Sequence, residues 1–489
     1  MDRKYLSDEL TAETIKEWEI NHINRIVISA GTGAGKTTFI TKRLYPCLSP
    51  NEKILILSNR DNLNKQIKQT VDNYQRIEVK TCQSLQKIND IRVVESRLLG
   101  YNYIVIDEAH YFVIDASFNN TTDLLLSSLL ATTQTVIFLS ATIEPLLSYF
   151  QSKGYTAYKL YQFQADYSYI DRVLFYYTKE DIIQFISTKV NSKAKMLYFS
   201  NTTADLEELY QQFKDKALFS VSKSHKKSRL TDGKDMDFLL KKEKLPKNIL
   251  FSTTALDNGV NINDHTVKYV VVDLIDIDTI IQCLGRKRIQ NDADTITFLI
   301  RKPTESIISQ AISNIDKELE QVIFFLANGE RELIKTYPRN TRIDGNNILF
   351  WDYNDEKEKP EVKINHVAYF NRLYRRGRYQ ELQKEGIKEI LSRRLNIPKE
   401  KFGYYYSALS ILKQSAEKET LYRTKEEKQM FYNRLNCRTK DGVIVKRASN
   451  LNQYFQQYNI PYRIETISEY NKDNRRYYPI WKITEIKET

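Results

Sequence analysis

Residues 30–37 read Ala30-Gly31-Thr32-Gly33-Ala34-Gly35-Lys36-Thr37, and their flanks decide the fold. Before them, Arg25-Ile26-Val27-Ile28-Ser29 is a short β-branched run suited to a buried parallel strand. After them, Thr38-Phe39-Ile40-Thr41-Lys42-Arg43-Leu44 predicts a helix. Strand, glycine-rich turn, Gly-Lys-Thr and helix form the layout of a phosphate-binding loop. The glycines let backbone N–H groups curl around an anion, and the helix start adds the positive end of its dipole. Lys36 is placed to reach the β- and γ-phosphates and the Thr37 hydroxyl to ligate Mg²⁺, with Gly33, Ala34, Gly35 and Thr38 completing the cradle. The residue that opens such a loop is usually glycine; here it is Ala30.

About 70 residues on, Tyr103-Ile104-Val105-Ile106-Asp107-Glu108-Ala109-His110 delivers two adjacent carboxylates from the end of an apolar strand. In that position Asp107 would hold Mg²⁺ and Glu108 would polarise the attacking water. A further strand, Thr135-Val136-Ile137-Phe138-Leu139, ends in Ser140-Ala141-Thr142, whose hydroxyls can tie the γ-phosphate site to a neighbouring element.

In this order Ala30–Thr37, Asp107–His110 and Ser140–Thr142 resemble motifs I, II and III of the superfamily-two helicases, with a second motif reading Asp-Glu-Ala-His. The resemblance implies ATP and Mg²⁺ as cofactors, His110, Ser140 and Thr142 as coupling residues, and a second RecA-like domain. It also implies nucleic-acid contacts at Asn59-Arg60 and at Thr81 and Gln83, where the family's motifs Ia and Ic sit. The expected second domain is readable. Lys195 to Thr202 is a strand ending in Ser200 and Asn201 and resembles motif IV; Asn248 to Ile262 resembles motif V. There the resemblance sets Thr253 or Thr254 on a phosphate of the strand, and Asp257 and Gly259 on the nucleotide cleft. Gln282-Cys283-Leu284-Gly285-Arg286-Lys287-Arg288 resembles motif VI, so Gln282 would help hold the attacking water and Arg286 and Arg288 would be the arginine fingers. Cys283 stands where many members carry arginine, and the Gly-Arg-x-Arg form resembles the branch of viral origin-binding helicases. The Q motif of Asp-Glu-Ala-Asp helicases is missing, because the first glutamine is Gln66.

Charge separates the rest. Of 489 residues with net charge +12, residues 331–489 hold 33 Lys and Arg against 21 Asp and Glu, so the whole excess sits in the last third. A basic excess suits phosphate backbones, and that third also holds 16 of the 33 tyrosines, candidate stacking platforms. Asn371 to Tyr379 mixes guanidinium and aromatic groups and sets Arg375, Arg376 and Arg378 as candidate phosphate contacts. Pro360 to Asn365 reads as a link, Gln380 to Leu395, Lys425 to Leu435 and Ala448 to Tyr458 as helices, and 462–483 as a hairpin with Pro479 on an edge strand. This pattern fits a winged-helix-like DNA module or a plain α+β docking unit.

The expected architecture is therefore α/β, two tandem RecA-like parallel-sheet domains (1–170 and 171–330) followed by a basic α+β accessory domain (331–489). Scattered cysteines at 47, 82, 283 and 437 give neither metal-ligand spacing nor a disulfide framework, and no run of about 18 apolar residues predicts a membrane span. The first residues lack an apolar signal core, so a cytoplasmic location, bacterial or host, is expected. The function expected is an ATP-dependent helicase, DNA favoured over RNA, acting as a monomer or small oligomer, with replication or other protein partners open. Open beside it are a duplex translocase that does not unwind and an ATP-switched DNA-binding initiator. The Asn-, Lys-, Ile- and Tyr-rich composition fits an AT-rich phage or mobile element.

Overall fold

The computed structural model describes residues 5–31, 33–59, 61–86, 91–117, 122–221, 225–254, 260–291, 293–337, 348–354, 358–405, 408–437, 444–457, 460–471 and 476–486. Arg60, Asp257 and Gly259, singled out above, lie outside these residues, as does Thr32.

Two parallel sheets carry the molecule. Among the described residues the first holds β1 (Arg25–Ala30), β2 (Ile54–Ser58), β3 (Ile77–Thr81), β4 (Tyr103–Asp107), β5 (Thr135–Ser140) and β6 (Lys159–Phe163), in the order β3-β2-β4-β5-β1-β6. Its central strands are apolar at nearly every position because helices cover both faces, so alternation is lost. Register places Ser29 beside Ser140 and Asp107 beside Leu139. The loops leaving β1, β4 and β5 thus open on the same rim, where α/β sheets bind ligands. Arg25, the first residue of β1, is buried and donates to the carbonyls of Asn24, Leu130, Thr132 and Gln134, so its charge rests on the carbonyl end of helix Thr122–Ala131.

The second sheet is built from β7 (Ile170–Tyr176), β8 (Lys195–Ser200), β9 (Ala217–Ser220), β10 (Ile249–Ser252), β11 (Val267–Asp273) and β12 (Ile296–Arg301). Its far edge is supplied from the last third of the chain. After the hairpin β13 (Leu349–Asn354) and β14 (Lys359–Ile364), the short strand β15 (Phe402–Tyr404) pairs in parallel with β7, giving the order β15-β7-β12-β11-β8-β10-β9. The expected link at 360–365 is therefore strand β14, closed against β13, with Asn365 capping the next helix through a 2.9 Å bond to the Ala368 N–H.

Residues 331–489 do not stand apart as one body. The helical run Glu305–Thr336 is broken at Gly329, whose φ is +78°, beside the expected boundary; helix His366–Glu385 packs on this run and on domain-one segments Tyr111–Ile114 and Glu144–Ser152. One continuous apolar core includes Phe112, Phe150, Ile281, Val322, Val367 and Leu391, drawn from all three expected domains. The expected helix 380–395 is broken at Gly386, whose φ of +83° belongs to the left-handed half of the map; His366–Glu385 ends there and Ile387–Leu395 begins.

Within the last third, the segment after β15 has a core of its own among the described residues. Helix Ala408–Glu417, strand β16 (Leu421–Tyr422), helices Lys425–Leu435 and Ala448–Gln457, and the hairpin β17 (Tyr462–Asn471) and β18 (Arg476–Glu485) enclose Leu412, Phe431, Leu435, Leu451, Phe455, Ile464 and Ile483. With sheet order β16-β18-β17 this is the connectivity of a winged helix. Pro479 lies on the central strand, not an edge one. Yet β16 reaches only Trp481 and Lys482, so at residue 479 the strand has a partner on one side alone, and the missing N–H is tolerated.

Candidate active site

The site is assembled on the rim of the first sheet. Gly33 and Gly35 have φ of +82° and +80°, the left-handed conformations that turn successive N–H groups to the inside of the loop. Ala30 still belongs to β1, paired with Phe163 of β6, so at this position no left-handed backbone is asked of it and a Cβ is tolerated. Helix Lys36–Phe39 starts at the loop and continues as one wider turn to Leu44.

Lys36 Nζ stands 3.8 Å from Glu108 Oε1, both side chains largely buried, so the loop after β1 and the turn after β4 meet across β5. Glu108 itself is left-handed, φ +56°, a conformation that costs a non-glycine residue about 1–2 kcal/mol. Its N–H donates to Asp107 Oδ1 at 3.1 Å, fixing the two carboxylates relative to each other. Burial raises the Asp107 carboxyl above its usual range, with Lys36 pulling the other way. Burial would raise Glu108 too, but Lys36, His110, Arg286 and Arg288 outweigh it and hold the group down at about 2. His110 is buried and pushed down to about 4, chiefly by burial, so it is neutral at physiological pH. Its Nδ1 lies 2.8 Å from Ser140 Oγ and 3.4 Å from Glu108 Oε2. Ser140 Oγ also accepts the Thr142 N–H at 3.0 Å.

From the second domain, Gln282 Nε2 donates to Thr142 Oγ1 at 2.8 Å. A chain of polar contacts therefore runs Glu108, His110, Ser140, Thr142, Gln282, from catalytic carboxylate to the facing domain. Arg288 comes over the phosphate loop: a Cβ on Gly33 would lie 3.7 Å from its Nη1. Asn261 Oδ1 accepts from Arg288 Nε at 2.9 Å and Nη2 at 2.5 Å, which leaves Nη1 buried with no hydrogen-bond partner among the described residues. Arg286 is buried as well, its Nε likewise unpartnered there. Burial, then Arg286, pulls the Arg288 guanidinium down to about 10, still protonated near pH 7. Cationic N–H groups left without acceptors in a closed pocket fit an anion. Cys283, at the position where an arginine was expected, is fully buried in the core, so it contributes packing and not charge.

The residues present suit Mg²⁺ in the way a phosphate loop uses it. Asp107 offers one carboxylate raised by burial and Thr37 one hydroxyl, and substrate phosphates complete such a set. Among the described residues there is no cluster of three His, Cys, Asp or Glu that could hold a metal by itself.

The candidate strand contacts form two groups. In domain one, Gln83 Nε2 donates to the Asn59 carbonyl at 2.8 Å, and Thr81 Oγ1 accepts the Ser84 N–H at 3.2 Å. Asn59 is buried, with Oδ1 unpartnered among the described residues. In domain two, Thr254 Oγ1 donates to Asn201 Oδ1 at 2.8 Å, the Thr253 N–H donates to the Ser220 carbonyl at 3.2 Å, and Ser200 is buried, accepting the Thr202 N–H. Arg375, Arg376 and Arg378, the candidate phosphate contacts on helix His366–Glu385, each have a partner within the molecule. Arg375 donates to Tyr379 Oη at 2.9 Å, Arg376 pairs with Asp316 at 2.6 Å and Arg378 with Glu381 at 2.5 Å. Their helix is a strap that packs on segments of both domains. Tyr374 and Tyr379 are struts within it, not stacking platforms.

The sequence did not point to Asp278 and Arg394. Asp278 lies on the helix Ile277–Leu284 that carries Gln282, its side chain 5% exposed. Arg394 Nη2 contacts Asp278 Oδ1 at 2.9 Å and Glu144 Oε2, just after Thr142, at 3.5 Å; Tyr374 Oη donates to Asp278 Oδ2 at 3.1 Å. Burial and Asp276 push the Asp278 carboxyl up, and Arg394 pulls it back. Arg394→Ala would leave that carboxylate without its cation, a loss of roughly 3 kcal/mol. Thermal unfolding should show a lower midpoint, partly recovered in the double variant with Asp278→Asn. An unchanged midpoint in Arg394→Ala would remove the strap's electrostatic role.

Comparison with known proteins adds one match by sequence: residues 9–148 fit the family model described as DEAD/DEAH box helicase. No curated protein matches the chain. Among solved structures, the chain is similar to S. cerevisiae Dbp5 bound to RNA and ADP BeF3, at 14% identity over 59% of this chain and 82% of that one, with a TM-score of 0.44. It is also similar to the E. coli DExH-box NTPase HrpB, at 13% identity over 96% of this chain and 72% of that one, TM-score 0.41. A third is Mycobacterium smegmatis Lhr bound to ssDNA and AMP-PNP, at 14% identity over 74% and 59%, TM-score 0.44. Residues 9–148 thus give the chain a DEAD/DEAH box helicase domain, and with it the chain is an ATP-hydrolysing enzyme.

Proposed function

We propose that the protein is a motor that couples ATP hydrolysis to movement along nucleic acid, with DNA as the favoured track and strand separation as the outcome. The observation that carries this reading is the polar chain from Glu108 through His110, Ser140 and Thr142 to Gln282, which crosses the cleft between the domains. A group that senses phosphate on one side is thereby joined to a domain that can move on the other.

Lys36 has a carboxylate partner at 3.8 Å and is placed to exchange it for substrate phosphate. On that exchange Glu108 loses its strongest cationic neighbour and becomes more basic, at the moment a water must be polarised. Arg288, braced by Asn261, and Arg286 supply positive charge from the second domain as negative charge builds on the transferred phosphoryl group. Mg²⁺, bound through Thr37 and Asp107, would neutralise charge on the phosphate oxygens. Closure of the cleft assembles these groups, and reopening after hydrolysis would shift the Asn59, Thr81 and Gln83 group relative to Asn201, Thr253 and Thr254.

Turnover of ATP should rise at least tenfold with one polymer among single-stranded DNA, duplex DNA and RNA. A forked DNA substrate should be separated only with hydrolysable ATP. Turnover without unwinding would favour a duplex translocase. Binding of DNA that depends on ATP, with no turnover on any polymer, would replace the motor by a switch.

A further inference from the structure

We infer that the outer face of helix Ala448–Gln457 is a duplex-DNA reading surface that enters a major groove and selects sites presenting adenine. The helix is fixed from within. Leu451 and Phe455, one turn apart, enter the core of the C-terminal unit. Asn452 then locks its rotation: Nδ2 donates to the Ile464 carbonyl at 3.0 Å and Oδ1 accepts the Ile464 N–H at 2.7 Å, tying the helix to β17. What faces outward is therefore set, and it is Ser449, Asn450, Gln453, Gln456 and Gln457, all exposed and all uncharged.

That face is a poor choice for solubility or helix stability alone. An exposed helix gains from oppositely charged residues four apart, and asparagine is a weak helix former. Amides bring a donor and an acceptor on one planar group, which matches N6 and N7 of adenine in the major groove. Directly before the helix, Lys446 and Arg447 are exposed, positioned for flanking phosphates. The stretch of sequence that contains this helix is also the basic part of the unit. Residues 428–464 hold seven Lys and Arg against one Asp, while the rest of 408–489 is balanced at nine of each sign. The excess positive charge thus lies in the same stretch of sequence as the amide face, and Lys446 and Arg447 put part of it directly before the helix. A helix fits the major groove of B-form DNA, roughly 12 Å wide, and not the deep, narrow groove of A-form RNA.

The site lies outside the nucleotide cleft, so its test needs no ATP and fails or succeeds separately from the motor reading. Full-length protein would be incubated with a random-sequence duplex DNA library and bound DNA sequenced. Affinities for the enriched duplex, a G·C-only duplex and a duplex RNA would follow. The enriched sites should share adenines. Asn450→Ala and Gln453→Ala should each weaken the enriched duplex about 10- to 100-fold and leave the G·C duplex nearly unchanged. Lys446→Ala with Arg447→Ala should weaken every duplex alike and lower the salt slope by about two. These residues are exposed, so unchanged thermal unfolding would certify the fold of each variant. No enriched motif, equal affinity for duplex RNA, or full affinity in Asn450→Ala and Gln453→Ala would overturn the inference. So would capture of a protein by the same face with no duplex binding.

Discussion

Glu108→Gln is expected to lower ATP turnover about a thousandfold while ATP-dependent binding to the polymer survives. The side chain keeps its size and its left-handed backbone, so the fold is spared. What disappears is the negative charge that sits 3.8 Å from Lys36 and 3.4 Å from His110. Removing it also frees Lys36, so ATP should bind at least as tightly, and the protein should stall in its closed form on the strand. Single-turnover ATP hydrolysis beside equilibrium binding separates the two quantities. Turnover within a few fold of the unaltered protein would mean that another group polarises the water, and that His110 and Ser140 couple something else.

The second large effect is expected at Arg288. Arg288→Lys keeps a positive charge but loses the planar fork that Asn261 grips at Nε and Nη2. A flexible ammonium cannot be held by Asn261 while presenting a second donor over Gly33. A loss in kcat of about 1,000-fold or more follows if this guanidinium meets the developing charge, with a much smaller change in KM. Asn261→Ala, which removes the brace and leaves the guanidinium, should cost about tenfold. If Arg286→Lys is the more damaging substitution, the dominant finger is Arg286, and Arg288 serves to hold the closed cleft. Equal, mild losses in both would separate these arginines from the chemistry altogether.

The phosphate loop and the Asp107-Glu108 pair were legible in the sequence because phosphate chemistry needs those residue types contiguous, on a turn after a strand. The two sheets were legible for a related reason: strands covered on both faces are written as unbroken apolar runs such as Ile54–Leu57 and Val270–Val272. The hairpin of the last unit was legible from alternation around a polar turn. Other features rest on partners far apart in the chain. Arg394 and Asp278 are 116 residues apart, and nothing local marks either as half of a buried pair. Arg375 to Arg378 read as a basic face because a sequence shows which residues are charged but not which carboxylates await them; Asp316 lies 60 residues before Arg376. The strand Phe402–Tyr404 is three residues long, too short to carry a period.

That short strand has a consequence for how the protein is made. The ribosome releases β7 about 230 residues before the strand that covers its outer edge, and at 5–20 residues per second the wait is roughly 10 to 45 seconds. For that time the nascent chain shows an open row of amide and carbonyl groups beside Phe175, a template for pairing with another copy. A chain that stops before residue 402 would make this interval permanent, so a chaperone or a slow-growing host should matter more to the truncated form than to the whole chain.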